Sequence, residues 1–525
     1  MKTGCLKQSV FLAKNFKKID MKLRSSYMLM GLLLFSLLTF GQSKPNVVVI
    51  LADDIGVGDI SHYRKKHSNT IVVSTPTLDK IAREGMVFTN AYSPAALCAP
   101  SRYAVMTGNN CYRSYMPWGV WGSYSKSPYK NSDMTLGKLM KNAGYSTAFF
   151  GKWGVGMDFY KKNDDTRIYR SARKKIELDV DVTQIAARGP KENGFDYSIT
   201  FASGIQNVPY VVYENESWLP IKKDSKIDFI SHEKMNRIGV KLDKSEGLGD
   251  SNWDPHHMGP LLVNKAVDFI ENSSSDKPFF MYYASLAVHV PHAPIAVLNG
   301  KKIAETTPSK HLDKVKELDV QMEMIVDALK KKGIYDNTLF VFTSDNGGLR
   351  RKETIASGHR SSDIYRGGKN SMYDGGVRVP LIMSWPNQIK PSSSSDSRVV
   401  TLDILGTLAD ITNQTLAENE AKDSASLLPI LKGEKNKHVH PYLMLQSGTG
   451  RQGIIIKDQW KLIVSYDKKD KSDATRKPIA LFDLEKNPKE NEGGNLIHKS
   501  KYSDIVEALF TLFNHTRDNG VSTKL

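Results

Sequence analysis

Cysteine is rare in this chain, which has three in 525 residues, at positions 5, 98 and 111. Cys5 falls in an N-terminal segment that we expect to be removed. The rest of the chain can therefore form at most one disulfide, Cys98–Cys111, which an oxidising compartment would permit. A chemical role for a modified Cys98 would exclude that bond and leave Cys111 as a free thiol.

Long hydrophobic runs are also rare, and the run at residues 28–40 is too short to cross a membrane comfortably. It follows the basic residues Lys22 and Arg24 and precedes the small residues of Thr39-x-Gly41, a pattern typical of a secretory signal peptide. No cysteine follows the run, so we expect no lipoprotein anchor. We predict a leader over 1–42, translation from Met21, and an exported protein, periplasmic or secreted, without membrane attachment after cleavage.

Nucleic-acid-binding motifs are missing, since the sequence has no basic helix, zinc finger or aromatic RNA-binding motif. Internal repeats are missing as well. The formal net charge is nevertheless +17, and the leader removes only part of it. A basic exported enzyme suits a polyanionic substrate, although a generally basic surface would give the same composition.

What the sequence does contain is an alternation of apolar runs and amphipathic segments, which indicates an α/β fold. Residues 46–52 form a continuous apolar run typical of a buried parallel strand. Another strand is predicted at 338–343 and a helix at 399–410. The serines of 392–395 predict a loop.

The residue pattern of the sequence changes after about residue 435. Short β runs dominate there, and a helical segment at 502–515 follows them. We therefore divide the mature chain into a large domain at 43–435 and a C-terminal subdomain at 436–525. The subdomain is predicted to be a small antiparallel sheet with one packed helix.

Oxygen donors follow two of the predicted strands. Asp53 and Asp54 come after the run 46–52, and Asp345 and Asn346 come after 338–343. Open α/β sheets bind ligands at the carboxyl ends of their strands. Close carboxylates repel each other unless a cation or a proton neutralises them, and hard oxygen donors suit calcium or magnesium. Two ordinary turns are the alternative.

The stretch 97–108 has the sequence of a loop that enters a helix. Pro100 suits the first helical turn and Gly108 the end of the helix. Cys98 then lies at the positive end of the helix dipole, with Arg102 one turn along on the same face. An anion would be well held there, although a buried structural thiol is the alternative for Cys98.

The spacing Cys98-x-Pro100-Ser101-Arg102 resembles the signature of the type I, formylglycine-dependent sulfatases of the alkaline-phosphatase-like superfamily. Other blocks resemble that family in the same order: Asp53-Asp54, 76–88, Gly151-Lys152-Trp153, Ser344-Asp345-Asn346-Gly347, Lys369 with 375–378, and 481–496. The likeness covers nearly the whole mature chain. It implies a large mixed sheet flanked by helices, followed by the small C-terminal sheet with its helix.

The resemblance implies a modified residue and a metal. A formylglycine-generating or sulfatase-maturating enzyme would oxidise Cys98 to formylglycine, whose aldehyde hydrate is the nucleophile. One calcium ion would be held by the converted Cys98 and by four oxygen donors: Asp53, Asp54, Asp345 and Asn346.

The resemblance also implies roles for the cationic side chains. Arg102 would hold and polarise the formylglycine hydrate, and Lys152 and Lys369 would bind sulfate oxygens. His289 would contact the ester oxygen and protonate the leaving alcohol. His292 also fits a His-x-Pro pattern, but the count from residues 282–285 favours His289 and leaves His292 to line the substrate pocket. Surface lysines and a structural histidine are the alternatives.

One position departs from the family pattern: Gly154 stands where the family has a histidine that takes up a proton as sulfate leaves. Another base is then needed, and His359 is a candidate. His359 lies in a loop between Gly348 and Lys369 that is rich in cations: Arg350, Arg351, Lys352, Arg360 and Arg366. We predict that His359, Arg360 and Arg366 bind the substrate, with the arginines on further sulfates or carboxylates of a glycan, the alternative being a solvated basic loop.

Aromatic residues after the cysteine helix could contact sugars or simply pack in the core: Trp118, Trp121, Tyr124 and Tyr129. Taken together, these features predict a sulfatase that acts on a sulfated polysaccharide or its oligosaccharides. The alternatives are a metal-dependent phosphatase or phosphodiesterase of the same superfamily, which would use Ser or Thr and two zinc ions, and a non-catalytic glycan-binding relative.

Overall fold

The apolar run after the leader forms strand β1, Asn46–Ala52, inside a ten-stranded sheet. The computed structural model describes residues 44–171, 176–434, 438–470 and 472–523, so the predicted leader lies outside the described residues. All residues of β1 except Asn46 are buried, as expected for a strand covered on both faces. The chain from Asn46 onwards forms one compact unit.

Further strands of the large sheet alternate with helices along the chain. The strands of this sheet after β1 are β2 (Met86–Phe88), β4 (Ser146–Lys152), β7 (Tyr197–Ile205), β8 (Tyr213–Glu214), β9 (Ser217–Trp218), β12 (Phe279–Ala284), β15 (Thr338–Ser344), β16 (Leu381–Ser384) and β17 (Ser393–Ser395). Short pairs elsewhere are β3 (Ala91–Tyr92) with β18 (Val399–Val400), β5 (Tyr160–Lys161) with β6 (Asp164–Ile168), β10 (Ile227–Ile230) with β11 (Gly247–Asp250), and β13 (Val297–Leu298) with β14 (Lys301–Lys302).

The α-helices flank this sheet, and the last of them packs on the small C-terminal sheet. In chain order they are α1 (Ser61–Arg64), α2 (Pro76–Glu84), α3 (Cys98–Thr107), α4 (Leu136–Asn142), α5 (His232–Arg237), α6 (Pro255–Asn272), α7 (Lys310–Lys331), α8 (Lys352–Ala356), α9 (Asp374–Val377), α10 (Asp403–Ile411), α11 (Leu428–Leu431) and α12 (Ser503–Asp518). None of the helices in the described part of the chain has the length and apolar character that a membrane span needs.

The large sheet is mixed, with the order β17-β2-β16-β15-β1-β12-β4-β7-β8-β9. Its centre is parallel: β1 lies between β12 and β15, and β12 also pairs with β4. The pairs of β16 with β15 and with β2 are antiparallel. The predicted α/β fold with a large mixed sheet is therefore confirmed.

The C-terminal subdomain contains a four-stranded antiparallel sheet of β19 (Leu443–Gln446), β20 (Gln452–Lys457), β21 (Trp460–Tyr466) and β22 (Arg476–Asp483). Leu509 and Phe513 of α12 pack against Ile455 and Leu462 in one apolar cluster. This confirms the predicted small sheet with its packed helix. The boundary at 435/436 stays a prediction, since 435–437 lie outside the described residues.

Two local predictions were wrong. Residues 392–395 were expected to be a loop, but Ser393–Ser395 forms the edge strand β17, parallel to β2. A single helix was expected at 399–410, but Val399–Val400 forms the short strand β18 before α10 begins at Asp403. In both places tertiary pairing with a neighbouring strand decided the structure.

Candidate active site

The register of the central strands brings the predicted oxygen donors together. Ala52, the last residue of β1, pairs with Ser344, the last residue of β15. Asp53 and Asp345 therefore leave the sheet side by side at its carboxyl edge. The backbone N–H of Asp345 donates to the carbonyl of Ala52, and the N–H of Asp54 donates to Asp345 Oδ1 at 3.1 Å.

Lys152 reaches the same edge through the next two strands. Leu51 of β1 pairs with Ala284 of β12, and Ala284 pairs with Gly151 of β4. Lys152 follows Gly151 and ends its strand beside Asp53, with 2.7 Å between Lys152 Nζ and Asp53 Oδ2. A lysine distant in sequence is thus placed by strand register alone.

Cys98 begins helix α3, as predicted, and lies at the edge of the carboxylate cluster. Its Sγ and one carboxylate oxygen each of Asp53 and Asp345 all lie within 4.8 Å of one another. The helix is fixed to the metal motif through Ser93, whose hydroxyl donates to the carbonyl of Asp345 at 2.6 Å and is hydrogen-bonded to Ser101 Oγ at 2.7 Å. Cys98 is half-buried, and it is a free thiol.

Cys111, the only possible disulfide partner of Cys98 once the leader is gone, is buried and is also free. Burial raises the pKa of its thiol to about 12, so Cys111 is unreactive at neutral pH. The alternative of a Cys98–Cys111 disulfide is therefore not realised in this structure.

Three cations face the three buried carboxylates. Arg102 Nη2 lies 2.6 Å from Asp345 Oδ2 and 3.5 Å from Asp53 Oδ1. Lys369 Nζ lies 2.6 Å from Asp54 Oδ1. With Lys152 on Asp53, each carboxylate has a cationic partner, and a divalent cation added to this balanced set would give the site a net positive charge for an anionic substrate.

The pKa values of the carboxyl groups reflect this crowding. Burial alone would raise the pKa of Asp53, but the charges of Lys152 and Arg102 outweigh it and hold that pKa well below its usual range. Burial, opposed by Arg102 and assisted by the charges of Asp53 and Asp54, raises the pKa of Asp345 to about 7. Asp345 is the carboxylate that most needs a further positive charge.

The donor set fits a hard divalent cation. Asp53 Oδ1 and Asn346 Oδ1 are both buried without a hydrogen-bond partner, an arrangement that is costly unless a ligand completes it. The Asn346 amide donates to Asp54 Oδ1 at 2.9 Å, which fixes its carbonyl oxygen on the opposite side of the amide. Carboxylate and amide oxygens of this kind are the ligands of calcium and magnesium.

His289 lies beside this cluster because the loop after β12 is bonded to the backbone of Asp53. The N–H of Asp53 donates to the carbonyl of Ala287, and the N–H of Val288 donates back to Asp53. His289 Nδ1 donates to the Val290 carbonyl at 2.9 Å, so Nε2 carries the lone pair and lies 3.9 Å from Asp54 Oδ2. Burial, with Lys152 and Lys369, lowers the pKa of this imidazole to about 4.

Lys369 is positioned between the metal motif and the cysteine loop. Its N–H donates to the carbonyl of Gly348, and the N–H of Asn370 donates to the carbonyl of Ala96. These two backbone hydrogen bonds therefore fix the position of Lys369, which lies in a loop and not in a strand of the sheet.

Other predicted substrate residues make contacts elsewhere. His359 is buried, and its Nε2 is bonded to Asp59 Oδ1 at 2.8 Å, so the structure does not support His359 as the substitute base. Arg360 donates to the carbonyls of Ile355 and His359. Arg366 stacks on the ring of Tyr373 and donates to the carbonyl of Glu490. Substrate contacts by Arg360 and Arg366 stay predictions.

The aromatic residues after α3 mainly pack inside the protein. Trp121, Tyr124 and Tyr129 are buried in the main hydrophobic core. Trp118 packs edge-on against Tyr466 of the C-terminal sheet, and its indole N–H donates to Asp473. Core packing, the alternative to sugar binding, therefore describes these side chains.

Two buried side chains were not predicted from the sequence. His311 lies beside His292, where Arg351 of the cation-rich loop also acts, and the buried Lys461 of β21 is paired with Asp374 and Glu490 at 2.8 Å and 2.6 Å. A lone histidine in an amphipathic helix and a lysine in an alternating strand carry no signal in one sequence. Only tertiary contacts reveal them.

Comparison with known proteins agrees with this geometry. The family model for sulfatases matches residues 45–414, most of the described chain, and the model for the C-terminal part of N-sulphoglucosamine sulphohydrolase matches 367–519. The chain belongs to the sulfatase family. As a sulfatase it is a sulfuric ester hydrolase, which favours that prediction over a phosphatase of the same superfamily.

Known sulfatases resemble the chain over most of its length. It is 29% identical over 505 residues to an N-acetylgalactosamine-6-O-sulfatase of Bacteroides thetaiotaomicron, covering 89% of this chain and 92% of the relative. Human steryl-sulfatase is 27% identical over 433 residues, covering 76% of this chain and 72% of the relative. A structure from work on the metabolism of multiple glycosaminoglycans by Bacteroides thetaiotaomicron has 26% identity and a TM-score of 0.74, covering 91% of this chain and all of that one.

Gly154, where the sulfatase pattern has a histidine, has a backbone that suits glycine. Its φ is +74°, a conformation that L side chains rarely adopt, and its N–H donates to the carbonyl of Ala202. A Cβ here would lie 3.2 Å from Arg102 Cδ and 3.4 Å from Lys152 Cε. The backbone at position 154 therefore has a conformation that glycine adopts easily and that a histidine would adopt only with strain.

Proposed function

We propose that this protein hydrolyses sulfate esters on sulfated polysaccharides or their oligosaccharides, with formylglycine derived from Cys98 as the nucleophilic residue. The observation that carries the proposal is that Cys98 lies next to the carboxylates of Asp53 and Asp345. Three cations contact the carboxylate cluster: Arg102, Lys152 and Lys369. A relative named for N-acetylgalactosamine-6-O-sulfate supports the glycan class. A basic net charge suits a polyanionic substrate.

Four oxygen donors and the converted Cys98 would hold one calcium ion: Asp53, Asp54, Asp345 and Asn346. When bound, the ion supplies positive charge that stabilises the sulfate group and the oxygens of the formylglycine hydrate. The two orphaned oxygens of Asp53 and Asn346 support this assignment.

The cationic side chains would orient the modified Cys98 and stabilise the negative charge of the substrate. Arg102, bonded to Asp345 and to the carbonyl of Lys152, is held rigidly beside Cys98, where it orients the modified side chain. Lys152 and Lys369 would bind sulfate oxygens and stabilise the charge that moves between oxygens as the S–O bond breaks. Because these groups are fixed before substrate binds, little reorganisation is needed.

His289 would protonate the alcohol as it leaves. Its Nδ1–H is fixed by the Val290 carbonyl, which leaves Nε2 as the ring nitrogen that would meet the ester oxygen. Because Nε2 is unprotonated in the free protein, it would have to take up a proton when the anionic substrate binds, and that proton would pass to the ester oxygen as the alcohol departs. Because position 154 is glycine, a water molecule or His289 itself would take up the proton that is released as sulfate leaves.

Cellular context forms part of the proposal. The predicted signal peptide would export the chain to the periplasm or the medium, where it meets sulfated glycans. A formylglycine-generating or sulfatase-maturating enzyme would have to act on Cys98 first.

The direct test is sulfate release from a panel of sulfated mono- and oligosaccharides, measured with protein co-expressed with a maturation enzyme. We expect inorganic sulfate from at least one sulfated sugar and none with Cys98→Ala. Release of phosphate from phosphate esters, with no sulfate from any panel member, would support a phosphatase instead. Binding of the sugars without any release would support a non-catalytic glycan-binding protein.

A further inference from the structure

A second group of basic side chains adjoins His289. His292 lies three residues further along the same loop, and its ring centroid is 5.2 Å from that of His311 on α7. Arg351, just before α8, acts electrostatically on both of these histidines. These three residues, which we call the His292 cluster, have no part in holding the metal.

The His292 cluster has polar atoms without partners. The Nε2 atoms of His292 and His311 and the Nε atom of Arg351 are buried without a hydrogen bond. His311 is fully buried, and its Nδ1 is bonded to Thr354 Oγ1 at 3.1 Å. Across the described ranges of the chain, no carboxylate lies within 4.0 Å of the Arg351 guanidinium. Unpaired buried donors of this kind are rare unless a ligand satisfies them.

Charge in the His292 cluster resides on Arg351. Burial, together with the neighbouring His311 and Arg351, lowers the pKa of His292 to about 3. The pKa of His311 is lowered as well, mainly by burial. Both imidazoles are therefore neutral at neutral pH and can share hydrogen bonds with a ligand, while the guanidinium provides the charge.

The position of the His292 cluster separates it from the sulfate pocket. His289 is influenced by Lys152, Lys369 and the metal-binding carboxylates, whereas His292 is influenced by His311, Arg351 and then His289. His289 thus stands between the group that binds the sulfate to be cleaved and the His292 cluster. If His289 meets the ester oxygen, as in the proposed function, the side chains beyond it would meet the sugar that bears that oxygen.

We propose that Arg351 and His292 form a subsite for a second oxyanion of the substrate, a uronate carboxylate or a further sulfate near the scissile ester. This rests on the proposed function. A guanidinium can bind either oxyanion through two N–H donors, and an unpaired arginine gains more from such a contact than one already in an ion pair. The subsite would select anionic oligosaccharides over neutral monosulfated sugars.

The test compares three substrates that share the same sulfated sugar: the monosulfated monosaccharide, its disulfated form, and a disaccharide that joins the monosulfated sugar to a uronic acid. The variant is Arg351→Gln, which keeps a polar, hydrogen-bonding side chain but is shorter and removes the charge. The matched control is Lys310→Gln, which removes one charge from an exposed side chain next to His311. His292→Gln provides a second variant that leaves every charge in place.

We expect Arg351→Gln to raise KM about tenfold or more for one or both doubly anionic substrates, with KM for the monosulfated sugar within about twofold of wild type. His292→Gln should raise the same KM by a smaller factor, and Lys310→Gln should change none. A KM effect confined to the disulfated sugar identifies a sulfate subsite, and one confined to the disaccharide identifies a carboxylate subsite.

A binding measurement without turnover separates this inference from the proposed function. Calorimetric titration of Cys98→Ala with the same sugars should show tighter binding of the doubly anionic ones, lost in the double variant with Arg351→Gln. Equal KM changes for all three substrates, or none, would overturn the subsite while leaving the sulfatase activity intact. Failure to hydrolyse any of them while the binding preference persists would count against the proposed function alone.

Discussion

The motif around Cys98 shows how much of the site a short stretch of sequence can predict. Its position before Pro100, Ser101 and Arg102 predicted a helix start and an anion-binding end, and α3 begins at Cys98. The contact of Arg102 with Asp345 could not be derived from that motif, because the two residues are 243 positions apart and meet only through strand register. His359 was assigned to the substrate from its position in a loop, and its bond to Asp59 depends on a contact that sequence does not show.

At Cys98 itself, we expect that both Cys98→Ser and Cys98→Ala fold and are inactive. A serine hydroxyl can attack sulfur, but it cannot expel sulfate by re-forming an aldehyde. The measurement is sulfate release together with the thermal midpoint, which should stay within a few degrees of wild type because the side chain is only half-buried. Sustained turnover by Cys98→Ser would point to a phosphatase-like route.

At Asp345, replacement by alanine should remove metal and activity together, since this carboxylate contacts Arg102 and adjoins Asn346. Elemental analysis should find about one calcium per chain in the wild type and much less in Asp345→Ala. The exposed Asp336, near the start of the same strand, provides the control Asp336→Ala with unchanged metal and activity. If activity falls while the metal stays, Asp345 is not a ligand; two zinc ions in the wild type would contradict the assignment of the ion.

At Gly154, a side chain would meet both a strained backbone and Arg102. Gly154→Ala should lose about 1 kcal/mol of unfolding free energy from its positive φ and also lower kcat by displacing Arg102. Gly144→Ala is the control, because Gly144 has φ of +87° but open space around its missing Cβ. The control should lose stability in urea unfolding and keep kcat; a loss of kcat in both variants would mean that strain alone, not Arg102, is responsible.

At the scale of elements, strand β21 joins the small sheet to the loop that carries Lys369. Lys461 of β21 is fully buried between Asp374 of α9 and Glu490, and Asp374 is also bonded to Arg378. Burial raises the pKa of Asp374, but Lys461 and Arg378 outweigh it and hold that pKa below its usual value. The apolar alternation of β21 predicted the strand, but it gave no sign that one inward position is a charged lysine.

Lys461→Met should leave two buried carboxylates with one cation between them and cost about 3 to 5 kcal/mol of unfolding free energy. Lys457→Met is the matched control, because Lys457 lies exposed at the end of β20 in the same sheet. Urea unfolding followed by circular dichroism measures both. Equal midpoints for the two variants would show that the buried network does not stabilise the fold.

Helix α10 is tied to the end of the described chain by His440. Its Nε2 is 2.8 Å from Asp403 Oδ1, and its Nδ1 donates to the Thr523 carbonyl. Burial lowers the pKa of His440, but Asp403 outweighs it and raises that pKa above 6.5. A raised pKa stabilises the fold fully below pH 6.5, and the contribution is lost as pH rises through the folded-state value.

The difference in unfolding free energy between wild type and His440→Asn should therefore be largest below pH 6.5 and shrink at alkaline pH. Urea titrations at several pH values measure it, with His515→Asn, an exposed histidine on α12, as the control. A difference that stays constant with pH would mean that folding does not shift the pKa of His440, and one that shrinks at acid pH would mean that His440 is neutral in the folded protein.

At the scale of the whole molecule, the fold class and the central strands were predictable, because apolar runs and helical periodicity mark buried elements. The edge strand β17 was not, since its three serines are only partly buried and pair on one side with β2. Strand β19 was also missed, although Leu443–Gln446 is fully buried, because four residues are too few for a period. The substrate subsite needed tertiary contacts, because Arg351 lies about forty residues from its partner His311 in sequence.

The central claim, that Cys98 becomes the formylglycine nucleophile of a sulfatase, is tested most directly by mass analysis of the peptide that contains it. The protein should be co-expressed with a maturation enzyme, and several preparations of differing conversion compared for sulfate release. We predict that the modified peptide has lost the sulfur of Cys98 and that specific activity rises in proportion to the modified fraction. Fully active protein with an unmodified Cys98 thiol would contradict the claim.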